Sequence, residues 1–566
     1  MIYARLSHIG CFAGILSICL VFSAAAAGMV GGTSPGAVNP PANSSQETGS
    51  FQEKGQRAQS LAPMEESGWD IAAARHLLLR AGFGGTPAEI ERLHAMGLHA
   101  AVDHLVDFES EDGWELPLEI SALAVERPEI DRRQLAELSP DEREQKIRQM
   151  RQQIRRERTR KDRQQLQQLR QWWMQRMLQS PCPLEEKLVL FWHGHFATEH
   201  QTVKSAYAMY LQNELFRQQA AGNFGELLRG IVHDPAMLRY LDNDRNVKTK
   251  PNENLAREIL ELFSMGEGNY TEQDIREAAR ALTGYGINRQ TLQADFRRRA
   301  HDPGKKTIFG QTGNWDGDDL VDLILQQPAT ARFIARKLFL YFVHREPSEA
   351  LVEQLADVLR NNDYELRPVL KTLFVSREFY SSRAMGTQIK SPVQLVVGFY
   401  KSLGVSSGPY LEMAAACRTM GQQLFDPPNV KGWDGGTAWI NTNSIFDRSA
   451  ALAGLINGVG SGDARRGGSR RMRNSRERNR NSRALDIIAI LKPLGLQSNE
   501  DVVAYLANAC LAVPLTESSQ QQLIQIMNAG SPLADPADWQ SRREQVNKKL
   551  VALLVLITSL PEFQIA

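Results

Sequence analysis

The densest group of side chains able to do chemistry lies between Met237 and Met265, in MLRYLDNDRNVKTKPNENLAREILELFSM. Asp242, Asp244, Asn246 and Glu253 stand at positions 1, 3, 5 and 12 of a loop, the oxygen-ligand spacing of an EF-hand. Position 6 breaks the analogy, because Val247 replaces the glycine that the sharp turn needs, and Lys248 and Lys250 bring positive charge. What the spacing leaves is a candidate for a looser carboxylate and amide site for a divalent cation, against the alternative of an ordinary polar loop. After Pro251, Asn252 is placed to cap a helix and Glu253 to face the positive end of its dipole. Along that helix Asn254, Arg257, Glu258 and Glu261 fall at i, i+3, i+4 and i+7, a polar stripe beside Leu255, Ile259, Leu262 and Phe263. Facing solvent, Arg257 and Glu261 are a surface pair worth less than about 1 kcal/mol. Facing inward, Glu258 and Glu261 require a cation or several donors.

Histidines supply a second group. LEEKLVLFWHGHFATEH sets His193 and His195 two residues apart, which on a helix point about 200° from one another. They share a metal only if the chain turns at Gly194. Further on come His233 with Asp234 and His301 with Asp302, a pattern that loosely resembles the metal phosphohydrolases of the HD type. Histidines satisfied within a core are the competing reading. In the third segment, GQQLFDPPNVKGWDGGTAWINTNSIFDR, Pro427 and Pro428 stiffen the chain while Trp433 and Trp439 offer flat faces. Such faces suit either sugar stacking or plugging the loop onto a helical core. No GxSxG elbow, phosphate-cradling glycine loop, HExxH or paired CxxC is present.

These groups must be positioned by a chain of 566 residues with 42% hydrophobic and 23% charged side chains, enough to bury a core and more than one packed unit's worth of length. A net charge of +1, from 66 basic and 65 acidic groups, excludes whole-molecule attraction to nucleic acid, and none is expected as a partner. Five scattered cysteines make neither a disulfide framework nor a zinc knuckle. Arg5 and His8 precede an apolar run from Ile9 to Phe22 and the small residues Ala24 to Ala27, which reads as a signal peptide over 1–27. Export to the periplasm, the cell surface or the medium is expected, with no membrane-spanning segment after its removal. A Gly-, Pro- and Ser-rich tether is expected over 28–67.

Beyond it most apolar residues recur with a period near 3.6, so the fold class is mainly α, a multi-helix globular arrangement with long loops and at most a small β element near Thr307 to Phe309. The main helical domain is expected over 68–460, with a basic Arg- and Gln-rich helix at 141–170, and a further helical part over 485–566 packed against it. Between them, 461–484 reads as a disordered insertion. Ala464 to Arg483 carries nine arginines against one glutamate, and its partner, if it has one, is an acidic glycan or other polyanion.

Several stretches in one order, among them LLRAGFGGTPAEIERLHAMGL, KLVLFWHGHF, DPAMLRYLDN, PNENLAREILELFSMGEGNYTEQDIREAARALTGYG, HDPGKKTIFG and LFDPPNVKGWDGGTAWINT, resemble the bacterial family called domain of unknown function 1800. The resemblance covers about 71–566. It implies that His193, His195, Asp242, Asn243, Asn252, Glu253, Asn254, Arg257, Glu258, Glu261, His301, Asp302, Lys305, Asn429, Lys431, Gly432 and Trp433 fall on family motif positions. It also implies a sulfatase-like partner protein, since relatives are often encoded beside one, but it brings no reaction. Two functions are therefore open. The first is an exported envelope or surface protein that binds or assembles through a polar central site, with glycans as a candidate ligand and Asn252, Asn254, Arg257, Lys431, Trp433 and Trp439 as binding groups. The second is a metal-dependent hydrolase of phosphate or sulfate esters working through His193, His195, Glu258, Glu261, His301 and Asp302.

Overall fold

A computed structural model describes residues 60–109, 138–288, 291–458, 484–529 and 536–566. The expected signal peptide, the expected tether as far as residue 59 and the expected basic insertion from residue 461 to 483 lie outside the described residues. The chain is mostly helical, and its helices start where short polar side chains can satisfy free amides. Thr86 with Glu89, Ser139 with Glu142, Thr271 with Asp274 and Ser391 with Gln394 each form a reciprocal capping box, three of them followed by Pro at the first helical position. Sheet is confined, among the described residues, to two antiparallel ribbons: β1 (Tyr285–Ile287) with β2 (Ala294–Phe296), and β3 (Lys306–Ile308) with β4 (Gln311–Gly313). The strand expected at Thr307 ends one residue early because Phe309 takes a positive φ of 49° and turns the chain into Gly310.

The helix expected at 141–170 runs from Pro140 to Gln179. Its last turns are prolonged by burial of Trp172, Trp173, Met174, Met177 and Leu178, which pack beside the Ala206–Gln218 and Tyr410–Thr419 helices. At the centre lies the Pro183–His195 helix, in which every side chain from Leu184 to His193 is buried. That includes three charges. Glu186 accepts from Arg176 Nε at 2.7 Å, Arg217 Nε at 2.8 Å and Trp173 Nε1 at 2.9 Å. Lys187 donates to the Gly82 carbonyl at 2.8 Å and lies over the Phe83 ring, tying the LLRAGFGG segment to the central helix. Burial pushes the Lys187 ammonium well below its ordinary pKa.

Residues 59–566 form one compact unit, and both of its sequence extremes are stitched to one stretch of chain. Met64 N–H donates to Val375 O at 2.8 Å and Arg377 N–H to Ala62 O at 2.9 Å, so the tether expected to reach residue 67 has given way to a docked strap by Ser60. At the other extreme Lys390 N–H donates to Gln564 O at 2.9 Å and Ile389 bridges Ile565. The Arg543–Ser559 helix packs on Thr442–Ile456, Ile487–Leu491 and Asn499–Cys510. No helix of the described residues is long and apolar enough to cross a membrane.

Asp234 gives the fold a measurable pH dependence. Its buried Oδ2 caps the Pro235–Tyr240 helix, accepting from Met237 N–H at 2.6 Å and Gln212 Nε2 at 2.8 Å. Burial pushes this carboxyl up to about 7, and those hydrogen bonds offset only part of the effect. Since the folded pKa lies above the unfolded value of about 3.9, the protonated group's contribution is complete below that value and is lost as pH rises through 7. Between pH 5 and 7 the loss amounts to about 2 kcal/mol. Asp234→Asn is expected to remove that slope from urea midpoints measured between pH 5 and 8. A slope that survives the substitution would assign the pH dependence to other groups.

Candidate functional site

The central helix ends at His193, Gly194 and His195, and the two imidazoles leave it in different directions. His193 Nε2 accepts from the Phe425 backbone N–H at 3.0 Å, which places its proton on Nδ1. His195 Nε2–H donates to the Phe263 carbonyl at 3.0 Å. Both rings are buried among aromatics: Trp173, Phe425 and Trp433 surround His193, while Phe196, Phe263 and Phe333 approach His195. Burial pushes both down to about 3, helped at His195 by the Lys337 ammonium, so both are neutral at physiological pH. Each histidine is a clamp. One holds the loop that carries Pro427, Lys431 and Trp433, and the other holds the segment that carries Glu258 and Glu261.

Between these clamps the backbones nearly touch. Gly432 adopts φ +77°, and a Cβ there would sit 2.1 Å from the Gly194 carbonyl oxygen, so only glycine lets the loop reach the helix end. The loop is fixed further by Asp426, which accepts from Arg170 Nη2 at 2.5 Å and from Gln201 N–H at 3.2 Å. Arg345 lies against Gly436 and donates to Asp434 O at 3.0 Å. Trp439 is buried with its ring beside Gly421, whereas Trp433 is half-buried with its shielded Nε1 lacking a hydrogen-bond partner among the described residues.

On the other side, the helix that starts at Asn254 becomes a π-helix from Ile259 to Met265. Such turns are rare and are frequent at functional sites. Here the turn is held internally by Ser264 Oγ, which donates to Ile259 O at 2.6 Å. Glu261 accepts from the Tyr270 hydroxyl at 2.9 Å. Burial and then the charge of Glu261 raise the Glu258 carboxyl, while Lys431 and Arg257 pull it back. Tyr240 is raised by burial and by Glu199 and Glu258, which places it on the same rim. Lys337 is lowered by burial and by Lys431. The charge of Lys431 is thus felt at both Lys337 and Glu258; Lys337 Nζ lies over the Phe333 ring at 5.2 Å, and among the described residues neither ammonium is in an ion pair.

Arg257 leaves this group. It pairs with Glu253 at 3.3 Å and Glu272 at 2.9 Å, on the outside of the stripe. The calcium-loop spacing makes no oxygen cage: Asn246 is buried, donates to Asn243 Oδ1 and Ala279 O at 2.9 Å each, and accepts from Asn252 N–H. Asp242 faces Arg245 at 3.6 Å, and Asn252 Oδ1 takes the Asn254 N–H at 3.0 Å, starting the helix as its sequence suggests. Nor do Asp244 and Glu253 close on it, for among the described residues no three His, Cys, Asp or Glu gather closely enough to hold a metal ion. His301 and Asp302 build a separate turn, with His301 Nδ1 on Thr283 O at 2.9 Å and Asp302 on Arg280 Nε at 2.8 Å. His233 pairs with Asp318 at 2.9 Å. Sequence reasoning passed over Lys337, Tyr270, Tyr240 and Glu199. Lys337 had a signal, a lysine set inside the apolar periodicity of ARFIARKLFLYF.

A family model described as "Protein of unknown function (DUF1800)" matches residues 76–565. The chain belongs to that family. No curated protein and no solved structure matches it. In this DUF1800 protein three of the segments that carry the family resemblance are joined through the two histidines: the end of the central helix, the π-helix that carries Glu261 and the loop that carries Lys431.

Proposed function

We propose that this DUF1800 protein is an exported envelope or surface protein that binds through the cleft between the π-helix and the Pro427–Trp433 loop, and that its ligand is an acidic glycan. The observation that carries the reading is Lys431, whose charge acts on both Lys337 and Glu258, with neither ammonium in an ion pair among the described residues, while Glu258 feels the charge of Glu261, the acceptor of the Tyr270 hydroxyl. A carboxylate or sulfate on a sugar neutralises the lysines, ring hydroxyls donate to the glutamates, and Trp433 offers a face for stacking. A sulfatase-like partner fits the same use of an acidic glycan. Hydrolysis through His193 and His195 has less support, because one imidazole nitrogen of each is committed to the backbone.

Titration calorimetry with uronic-acid oligosaccharides and their neutral counterparts tests it. A charge-assisted contact is worth about 1.5–3 kcal/mol, so the double variant Lys337→Ala, Lys431→Ala is expected to bind the acidic ligand roughly ten- to a hundredfold more weakly. Equal binding of acidic and neutral sugars, or a variant that binds like the parent, would overturn the reading.

A further inference from the structure

The N-terminal half of the Pro140–Gln179 helix has no role in the cleft or the core. From Pro140 to Lys161 every side chain is exposed except Ile147, Met150 and Ile154, which are half-buried, and burial begins at Asp162. At 1.5 Å per residue this is about 33 Å of helix with its sides open to solvent. It is held at both extremes, by the Ser139–Glu142 capping box and by Asp162, which accepts from Ala206 N–H and His200 Nε2 at 2.8 Å each. Between Arg143 and Arg163 stand ten basic side chains and three acidic ones, net +7. Glu144 and Glu157 serve Arg148 and Lys161, while among the described residues Arg151, Arg155, Arg156, Arg160 and Arg163 have no ion-pair partner. Arg155, Arg156, Thr159, Arg160 and Arg163 line a concavity of about 410 Å³.

Like charges at i and i+4, as in Arg151 with Arg155 and Arg156 with Arg160, destabilise a helix, and here no carboxylate relieves them. Guanidinium forks match oxyanions bidentately. We propose that this arm is a second binding site, separate from the cleft, for a linear polysaccharide bearing sulfate or phosphate esters. At about 100° per residue Arg155, Arg156, Arg160 and Arg163 fall within an arc of about 140°, on the side of the helix that carries the concavity, and so present their forks as one row to a linear chain. The stripe of Ile147, Met150 and Ile154 is too narrow to enter lipid. No aromatic side chain lies between Pro140 and Gln171 to stack on bases. The choice of polysaccharide over nucleic acid rests on the export reading, whereas the existence of the site does not rest on the cleft.

The test uses the whole secreted chain and a fluorescent heparin dodecasaccharide in 0.15 M salt, with duplex DNA and anionic lipid vesicles as comparison probes. The variant Arg155→Gln, Arg156→Gln, Arg160→Gln, Arg163→Gln is expected to bind heparin at least tenfold more weakly. Its plot of log K against log salt should be shallower by roughly three. Substituting Lys250, Arg276, Arg298 and Arg299 by Gln removes the same charge elsewhere and is expected to cost less than threefold. The four arginines changed to Lys keep the charge, lose the fork, and fall between, giving a second reading if the glutamine variant folds poorly. Binding unchanged in the arm variant, an equal loss in the control, or tighter binding to DNA or vesicles than to heparin would each overturn the proposal. The cleft is read independently, because Lys337 and Lys431 are untouched.

Discussion

Glu186→Ala is expected to destabilise the folded chain by about 3–5 kcal/mol, the largest loss anticipated for a single polar side chain here. The carboxylate is fully buried and accepts bidentately from one guanidinium edge of Arg217, Nε at 2.8 Å and Nη2 at 3.1 Å, besides Arg176 and Trp173. Burial by itself would raise this carboxyl, yet Arg217 and Arg176 outweigh it and hold it below the usual range. Truncation leaves Arg217 with Glu214 and Arg176 facing Glu185 at 3.5 Å, poor replacements in a dry interior. Both guanidiniums also lie over the Trp172 ring, at 5.0 and 5.4 Å, so the disturbance reaches the seam between the long helix and the central one. The depressed pKa stabilises above the unfolded value and is lost as pH falls through the folded one, so the variant's deficit should shrink in acid. Urea denaturation of Glu186→Ala and Glu186→Gln measures it, with Gln intermediate. A deficit under 1 kcal/mol would show that the arginines find water or other partners.

Gly432→Ala is expected to cost about 3 kcal/mol and to detach the loop from the end of the central helix. A left-handed conformation costs an alanine roughly 1 kcal/mol, and the added methyl meets the Gly194 carbonyl, a backbone atom on a buried helix that has nowhere to go. The amide of Phe425, which donates to His193, should then lose its protection in hydrogen exchange while the Leu184–Trp192 amides keep theirs. Retention of that protection, with an unshifted melting curve, would sink the argument.

Much of this arrangement was legible in the residues. Histidines two apart on a helix must face opposite ways, and they do, one to Phe425 and one to Phe263. The helical stripes, the Asn252 start signal and the short strand near Thr307 also follow from local chemistry. The stripe of Asn254, Arg257, Glu258 and Glu261 was harder. Its spacing assumes 3.6 residues per turn, and the π-helix from Ile259 rotates Glu261 away from that register. Such a turn is imposed by tertiary packing, so no local pattern announces it. Within the calcium-like spacing the Asn246 side chain is spent on the backbone, donating to Ala279 O and accepting from Asn252 N–H, as short polar side chains in loops often do. Lys337 reaches the cleft from a helix more than 75 residues beyond Glu258, a distance that periodicity cannot span.

The stitching of Ala62 to Arg377 and of Lys390 to Gln564 bears on the order in which the molecule can be made. Each tie joins residues more than 170 positions apart, so each closes a long loop whose entropy is spent before its contacts are gained. A ribosome that has delivered the central helix, with Glu186 and Lys187 inside it, has not yet delivered Arg217, Tyr341 or the Phe563 carbonyl that receives the Lys390 ammonium. Glu186 has all its partners once Arg217 is made, whereas Lys390 must wait for the Phe563 carbonyl, the last of these ties a growing chain can form.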